Sequence, residues 1–252
     1  MAVGTTHASP LLSFVLRPHF CYIKTMLRAV IFDCDGVIVN SEPHHLTAFR
    51  EVLAQEGIRL STEEYYSKYL AMDDKGCFEA VLRANNRPAD NKILKSLILR
   101  KMEVYRRLSQ QELILYNGVV DLVNRLKDLY RLAIASGAFR GEVKFALDKG
   151  GMRGAFPVLV TAQDVRNGKP HPEAFQTALA QINQAEPVPS PPIRPGECLV
   201  IEDSLHGIEG AHAAGMKCLA VTNSYPKEKL THAERVVETL EGVRPEDLEK
   251  LF

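Results

Sequence analysis

Five short runs built almost wholly from apolar residues punctuate this chain: Ala29–Phe32, Leu129–Ala135, Phe156–Val160, Cys198–Ile201 and Cys218–Val221. Among the last four lie stretches with helical spacing, Arg140 to Asp148, Pro172 to Ile182 and Gly207 to Ala214, and Gly118 to Leu126 precedes them in the same pattern. A strand apolar at nearly every position must be buried on both faces. Strands separated by helices join through right-handed crossovers, which makes them parallel. The pattern therefore predicts an α/β fold, a doubly wound parallel sheet with helices on both faces. Between the first run and the others only helical signals occur. Leu46, Phe49, Val52 and Leu53 share a face and end at Gly57, Ser61 and Glu64 have the spacing of a capping box, and Cys77 to Leu82 and Ile93 to Leu108 continue the helical texture.

Those patterns divide the chain into a core of residues 27–42 and 113–252, an all-helical insertion of 43–112, and an extension of 1–26. The extension has no acidic residue and a short apolar run, Leu11 to Leu16, flanked by Arg17, Lys24 and several hydroxyls. It predicts a disordered segment, with organelle import as the minority alternative. Five prolines between Glu186 and Pro195 predict a stiff surface loop, and Pro245 to Phe252 a closing helix.

With 46% hydrophobic and 25% charged residues, 252 residues suffice for a full core. The 31 basic residues balance 31 acidic ones, so no global charge favours nucleic acid or an anionic membrane. Five scattered cysteines without a C-x-x-C pair predict reduced thiols and a cytoplasmic setting. Cys34, between two aspartates, reads as a small strand-end residue, because neighbouring carboxylates disfavour a thiolate.

The chemistry gathers where the strands end. The first run leads into Asp33-Cys-Asp35-Gly36, two carboxylates that converge once the chain curls. The second leads into Ser136-Gly137, a hydroxyl and backbone amides suited to an anion. Lys169 stands just ahead of a helix opened by Pro172, so its ammonium and the helix N-terminus face one volume. The fourth run ends in Glu202-Asp203-Ser204. Asp33, Asp35 and Asp203 brought together would offer the hard oxygen ligands that magnesium favours, opposite donors for an anion. That combination suits phosphoryl transfer.

The order Asp33-x-Asp35-Gly-Val, Ser136, Lys169-Pro-x-Pro, Glu202-Asp203-Ser resembles the four motifs of the haloacid dehalogenase superfamily over residues 28 to about 224. The Glu-Asp pair is similar to its branch of beta-phosphoglucomutase and sugar phosphatases, and residues 43–112 look like that branch's small helical cap. The resemblance implies a Mg²⁺-dependent phosphatase of a small phosphorylated metabolite, such as a sugar phosphate. Asp33 would be the nucleophile and Asp35 the acid/base. Asp33, the Asp35 carbonyl and Asp203 would hold the metal, with Glu202 touching it or orienting its waters. Ser136, Gly137 and Lys169 would bind phosphate. A phosphomutase is the alternative, and an idle binding module a third reading from another class.

In that family the cap selects the substrate, which makes Glu42, His44, His45 and the loop Met72 to Gly76 the candidates. His45 stands where the mutases carry a hinge histidine. Where they carry an arginine for a distal phosphate, this chain has Asp73-Asp74-Lys75, and Lys75 cannot reproduce a bidentate grip. That departure favours phosphatase over mutase. No motif specifies the metabolite or an oligomeric state.

Overall fold

The computed structural model describes residues 26–70 and 72–252, together with Met1. The predicted extension otherwise lies outside the described residues. Six parallel strands form one sheet: β1 (Ala29–Phe32), β2 (Arg131–Ala135), β3 (Val158–Val160), β4 (Cys198–Glu202), β5 (Lys217–Val221) and β6 (Arg235–Val237). Their order is β3-β2-β1-β4-β5-β6. The chain runs outward from β1 to β3, then returns to the other side of β1 for β4. Crevices that bind ligands form at the carboxyl ends of strands where the order reverses in this way.

The all-apolar strands are explained by burial on both faces. Val30, Phe32, Leu132, Ile134, Leu199 and Ile201 point into one core, shared with Val119 and Leu122 of α5 (Val119–Leu126), Val143 and Leu147 of α6 (Arg140–Lys149) and Leu248 of α9 (Pro245–Glu249). Their neighbours Ala29, Ile31, Ala133, Ala135, Cys198 and Val200 point into a second, with Phe175 and Ala178 of α7 (Glu173–Ile182) and Ile208 and Ala211 of α8 (Leu205–Ala213). The strict alternation is the period of two that a strand imposes. Each fully buried Leu, Ile or Phe contributes about 1.5–3 kcal/mol.

The helical segment has its own apolar cluster. Phe49 of α1 (Glu42–Gln55), Tyr65 and Tyr69 beyond α2 (Thr62–Glu64), Phe78 and Val81 of α3 (Asp74–Ala84) and Leu94 and Leu97 of α4 (Asn91–Gln111) pack together. Here the capping box is half formed. Ser61 Oγ accepts from the Glu64 amide at 3.0 Å, but the Glu64 carboxylate turns to Lys68 and Tyr69. After one turn the backbone widens into a π-helical segment, Tyr65–Tyr69, which buries both tyrosines. No helix among the described residues is long and apolar enough to cross a membrane.

The sequence patterns missed β6, whose three half-buried residues Arg-Val-Val sit at the sheet edge. The proline-rich loop is fastened at the surface: Asn183 exchanges two hydrogen bonds with Ile193 (2.8 and 2.9 Å), and Arg28 donates to the Pro191 carbonyl. Cys34, Cys77, Cys198 and Cys218 are free and buried.

Candidate active site

Register brings the acidic strand ends together. Phe32 of β1 lies beside Ile134 of β2 and Ile201 of β4, so the next residues, Asp33 and Glu202, leave the sheet side by side. Past Asp33 the chain curls tightly: the Cys34 carbonyl accepts from the amides of Val37, Ile38 and Val39, and Gly36 sits at φ +76°. Only glycine serves there, since a Cβ would come within 1.8 Å of Asp203 Oδ2 as well as strain the backbone. No described hydrogen bond ends on the Asp35 carbonyl, which leaves it available.

Lys169 is the hub. Its Nζ donates to Asp33 Oδ1 at 2.8 Å and Glu202 Oε1 at 2.6 Å, and lies 5.1 Å from the centre of the Phe175 ring. The other Glu202 oxygen accepts from the amides of Asp203 (2.9 Å) and Ser204 (3.0 Å) and from Ser204 Oγ (2.9 Å). Both oxygens of this fully buried carboxylate are therefore committed. α8 can approach it so closely because position 207 is glycine, where a Cβ would meet the Glu202 carboxyl carbon at 1.8 Å. Asp203 accepts from Ser224 Oγ, and Asn223 Nδ2 holds the Gly36 carbonyl at 2.7 Å.

Charge in this pocket is unbalanced. Asp33, Glu202 and Asp203 offer oxygens within 4.8 Å of one another, and Lys169 is the cation in direct contact with Asp33 and Glu202. Burial, and then the neighbouring carboxylates, push Asp33 and Asp203 upward; Lys169 opposes both effects. Glu202 is held below the usual range because Lys169 and two amides outweigh its burial. Buried carboxylates of this kind call for a further cation. Hard oxygen donors with no sulfur or imidazole among them fit a divalent ion of the magnesium or calcium type.

Across from the acids, Ser136 is 3% exposed and its Oγ accepts from the Ala138 amide at 3.1 Å. Gly137 is exposed, its amide donates in no described hydrogen bond, and no atom lies within 4 Å of where a side chain would project. An anion has open access to that amide.

The side chain of Asp35 follows a different course. It accepts from Ser41 Oγ at 2.5 Å, and His45 Nε2 stands 3.9 Å away. Burial opposes its charge, yet His45 and Ser41 hold it below the usual carboxylate range. His45 stacks on Tyr105 with ring centres 4.3 Å apart, and its Nδ1 meets Lys101 Nζ at 2.6 Å. An ammonium only donates, so Nδ1 accepts and the ring proton sits on Nε2, facing Asp35. Lys101 is 2% exposed and also binds Asp74 at 2.7 Å. Sequence reading missed Lys101, because a lysine on α4 looks like any solvated helix residue; its i,i+4 neighbours Leu97 and Tyr105, both apolar, were the available hint.

Of the other predicted cap residues, Glu42 accepts from Tyr65 OH at 2.5 Å and lines a cleft with Gly36 and Ser224. Burial raises its carboxyl despite His45 and Tyr65. Lys75 is exposed and joins no described hydrogen bond or ion pair. It follows the N-cap Asp73 in the first turn of α3, which places Asp74, not Lys75, on Lys101.

Comparison with known proteins bears on the family and the fold. The family model described as haloacid dehalogenase-like hydrolase matches residues 27–215. Fructose-1-phosphate phosphatase YqaB of Escherichia coli is 28% identical over 198 residues, 76% of this chain and 95% of that protein. The structure of CbbY from Rhodobacter sphaeroides in complex with phosphate is similar with a TM-score of 0.77 at 25% identity, over 88% of this chain and 99% of that one. The beta-phosphoglucomutase of Clostridium difficile shares the fold, with a TM-score of 0.76 at 23% identity over 90% and 97% of the two chains.

Proposed function

Because the chain belongs to the haloacid dehalogenase-like hydrolase family, we propose that it is a magnesium-dependent phosphatase of a small phosphorylated metabolite, with Asp33 as nucleophile. The reading rests above all on the excess of buried carboxylate around Lys169, set opposite the open Gly137 amide. A phosphate ester enters with its non-bridging oxygens toward the Gly137 amide and Ser136 Oγ. Asp33 attacks phosphorus and forms an aspartyl phosphate while the ester oxygen departs. Lys169, already on Asp33 Oδ1, offsets the charge that accumulates between nucleophile and phosphate. Asp33, Asp203 and the Asp35 carbonyl would hold the cation, which when bound screens an anionic nucleophile from an anionic substrate. Glu202, with both oxygens taken, orients Lys169 and the β4 end.

Asp35 carries the proton. In the resting arrangement it is a carboxylate steadied by Ser41 and His45. The negative charge of an arriving phosphate favours its protonation, after which it delivers the proton to the leaving oxygen. The same carboxylate then draws a proton from the water that attacks the aspartyl phosphate. Residues 43–112 act as the cap over this crevice.

A phosphomutase is the second reading within the fold. It is disfavoured by the pairing of Lys101 with Asp74, since the cap loop meets the site with an acid where a distal phosphate needs a free cation. The test is a magnesium-supplemented screen of phosphate monoesters, including fructose 1-phosphate, with wild type and Asp33→Asn. Phosphate release by wild type and none by the folded variant is expected; retained turnover in the variant overturns the assignment of the nucleophile.

A further inference from the structure

A cavity of about 520 Å³ opens beside Asp35, between α4 and α6. In the proposed reaction the group that receives a proton from Asp35 is the leaving alcohol, and Asp35 lines this space. Its walls are mainly apolar, with Leu99, Met102, Tyr105, Leu113, Phe139 and Phe145 outweighing the amides of Gln110 and Gln163. Free cations are lacking there among the described residues: Arg106 is bound to Glu103 at 2.7 Å, and Arg140, at the α6 end, is gripped by both oxygens of Asp164 at 2.6 and 2.7 Å. Three carboxylates, Asp35, Glu142 and the Arg106-paired Glu103, line the same space. One Glu142 oxygen is taken by the Phe139 amide at 2.9 Å.

Those walls exclude some alcohols. A second phosphate or a carboxylate would meet like charge with no partner. A bare polyol would press several hydroxyls against Leu, Met and Phe, and each hydroxyl buried without a partner is unfavourable. Ser109 adds little polarity to the lining: the residue is 5% exposed and its Oγ is buried beside Tyr105.

Building on the phosphatase reading, we propose that the substrate is a monophosphate ester of an uncharged alcohol with an apolar or aromatic body, seated between α4 and α6. The phosphate end is read by Ser136, Gly137 and Lys169, and the apolar body by α4 and α6. Leu99, 57% exposed, forms the rim and is free to change without disturbing the core.

The experiment compares kcat/KM for 2-phenylethyl phosphate, glycerol 1-phosphate and fructose 1-phosphate in magnesium. All three are unactivated alkyl esters, so differences report recognition. Wild type is expected to prefer the phenylethyl ester by about tenfold or more, the scale on which an apolar pocket discriminates. Leu99→Gln and Phe145→Gln are each expected to cut that preference at least about threefold, since a polar side chain replaces apolar wall. A wild type that is indifferent, or prefers the polyol esters, overturns the proposal and leaves the phosphatase reading standing. A preference that both variants retain also overturns it, because another surface then discriminates. No hydrolysis of any ester removes both readings.

Discussion

Lys169→Met separates electrostatics from packing at the centre of this site. The substitution keeps a stem over Phe175 and deletes the ammonium that binds Asp33 and Glu202. Removing one partner of a buried ion pair strands the other. Glu202 is fully buried and is held ionised first of all by Lys169, so in the variant it must stay charged without its partner or take up a proton. Protonation sets the ceiling. An ordinary glutamate titrates near 4.3, about 2.7 pH units below pH 7, which corresponds to about 3.7 kcal/mol. At pH 5.5 the ceiling falls to about 1.6 kcal/mol. The sign follows from proton counting. Between those values the variant's folded state holds a proton that its unfolded state lacks, so acid stabilises it relative to wild type. In wild type the depressed Glu202 value contributes stability that is present above the ordinary glutamate range and lost as pH falls through the folded value.

Urea unfolding in EDTA at pH 7 and pH 5.5 measures the two penalties. A loss of about 3–4 kcal/mol at neutral pH, shrinking to less than half in acid, is expected. Magnesium should restore part of the loss without restoring phosphate release. An equal penalty at both pH values, or less than about 1 kcal/mol at pH 7, would refute the claim that Lys169 is what keeps Glu202 charged.

Gly207→Ala drives a Cβ to 1.8 Å from the Glu202 carboxyl carbon, a side chain fixed by Lys169, two amides and Ser204. It should cost about 3 kcal/mol or more in thermal or urea unfolding, whereas Gly154→Ala, with open space around it, should be close to wild type. With beta-glucose 1-phosphate and a bisphosphate primer, free phosphate should appear faster than glucose 6-phosphate; the reverse order makes the protein a mutase.

Much of this was legible in the residues, for reasons that also explain what was not. The strands of a sheet buried on both faces must be apolar throughout, so β1, β2, β4 and β5 announce themselves, and acids at their ends cannot be core. Asp33, Lys169, Glu202 and Asp203 were visible because their positions violate the pattern around them. β6 lacks that contrast: an edge strand half exposed to water tolerates arginine, and Arg235-Val-Val resembles loop. Lys101 stayed hidden because its burial depends on α1 and α3 closing over α4, contacts that join Asp74, His45 and Lys101 across up to 56 residues of chain. Lys75 was favoured for its place in the cap loop, but the turn fixed by Asp73 on the Gly76 amide leaves it exposed. The apolar character of the cavity beside Asp35 was illegible for the same reason, since α4 and α6 meet only in the fold.

The central claim is that Asp33 becomes phosphorylated. Enzyme mixed with substrate and magnesium can be quenched in acid during turnover, and any acyl phosphate reduced with borohydride, which converts a phosphorylated aspartate to homoserine. Peptide mass spectrometry should then find homoserine in place of Asp33 and unmodified Asp35. Turnover without reducible label at Asp33, or label on another aspartate, would contradict the account.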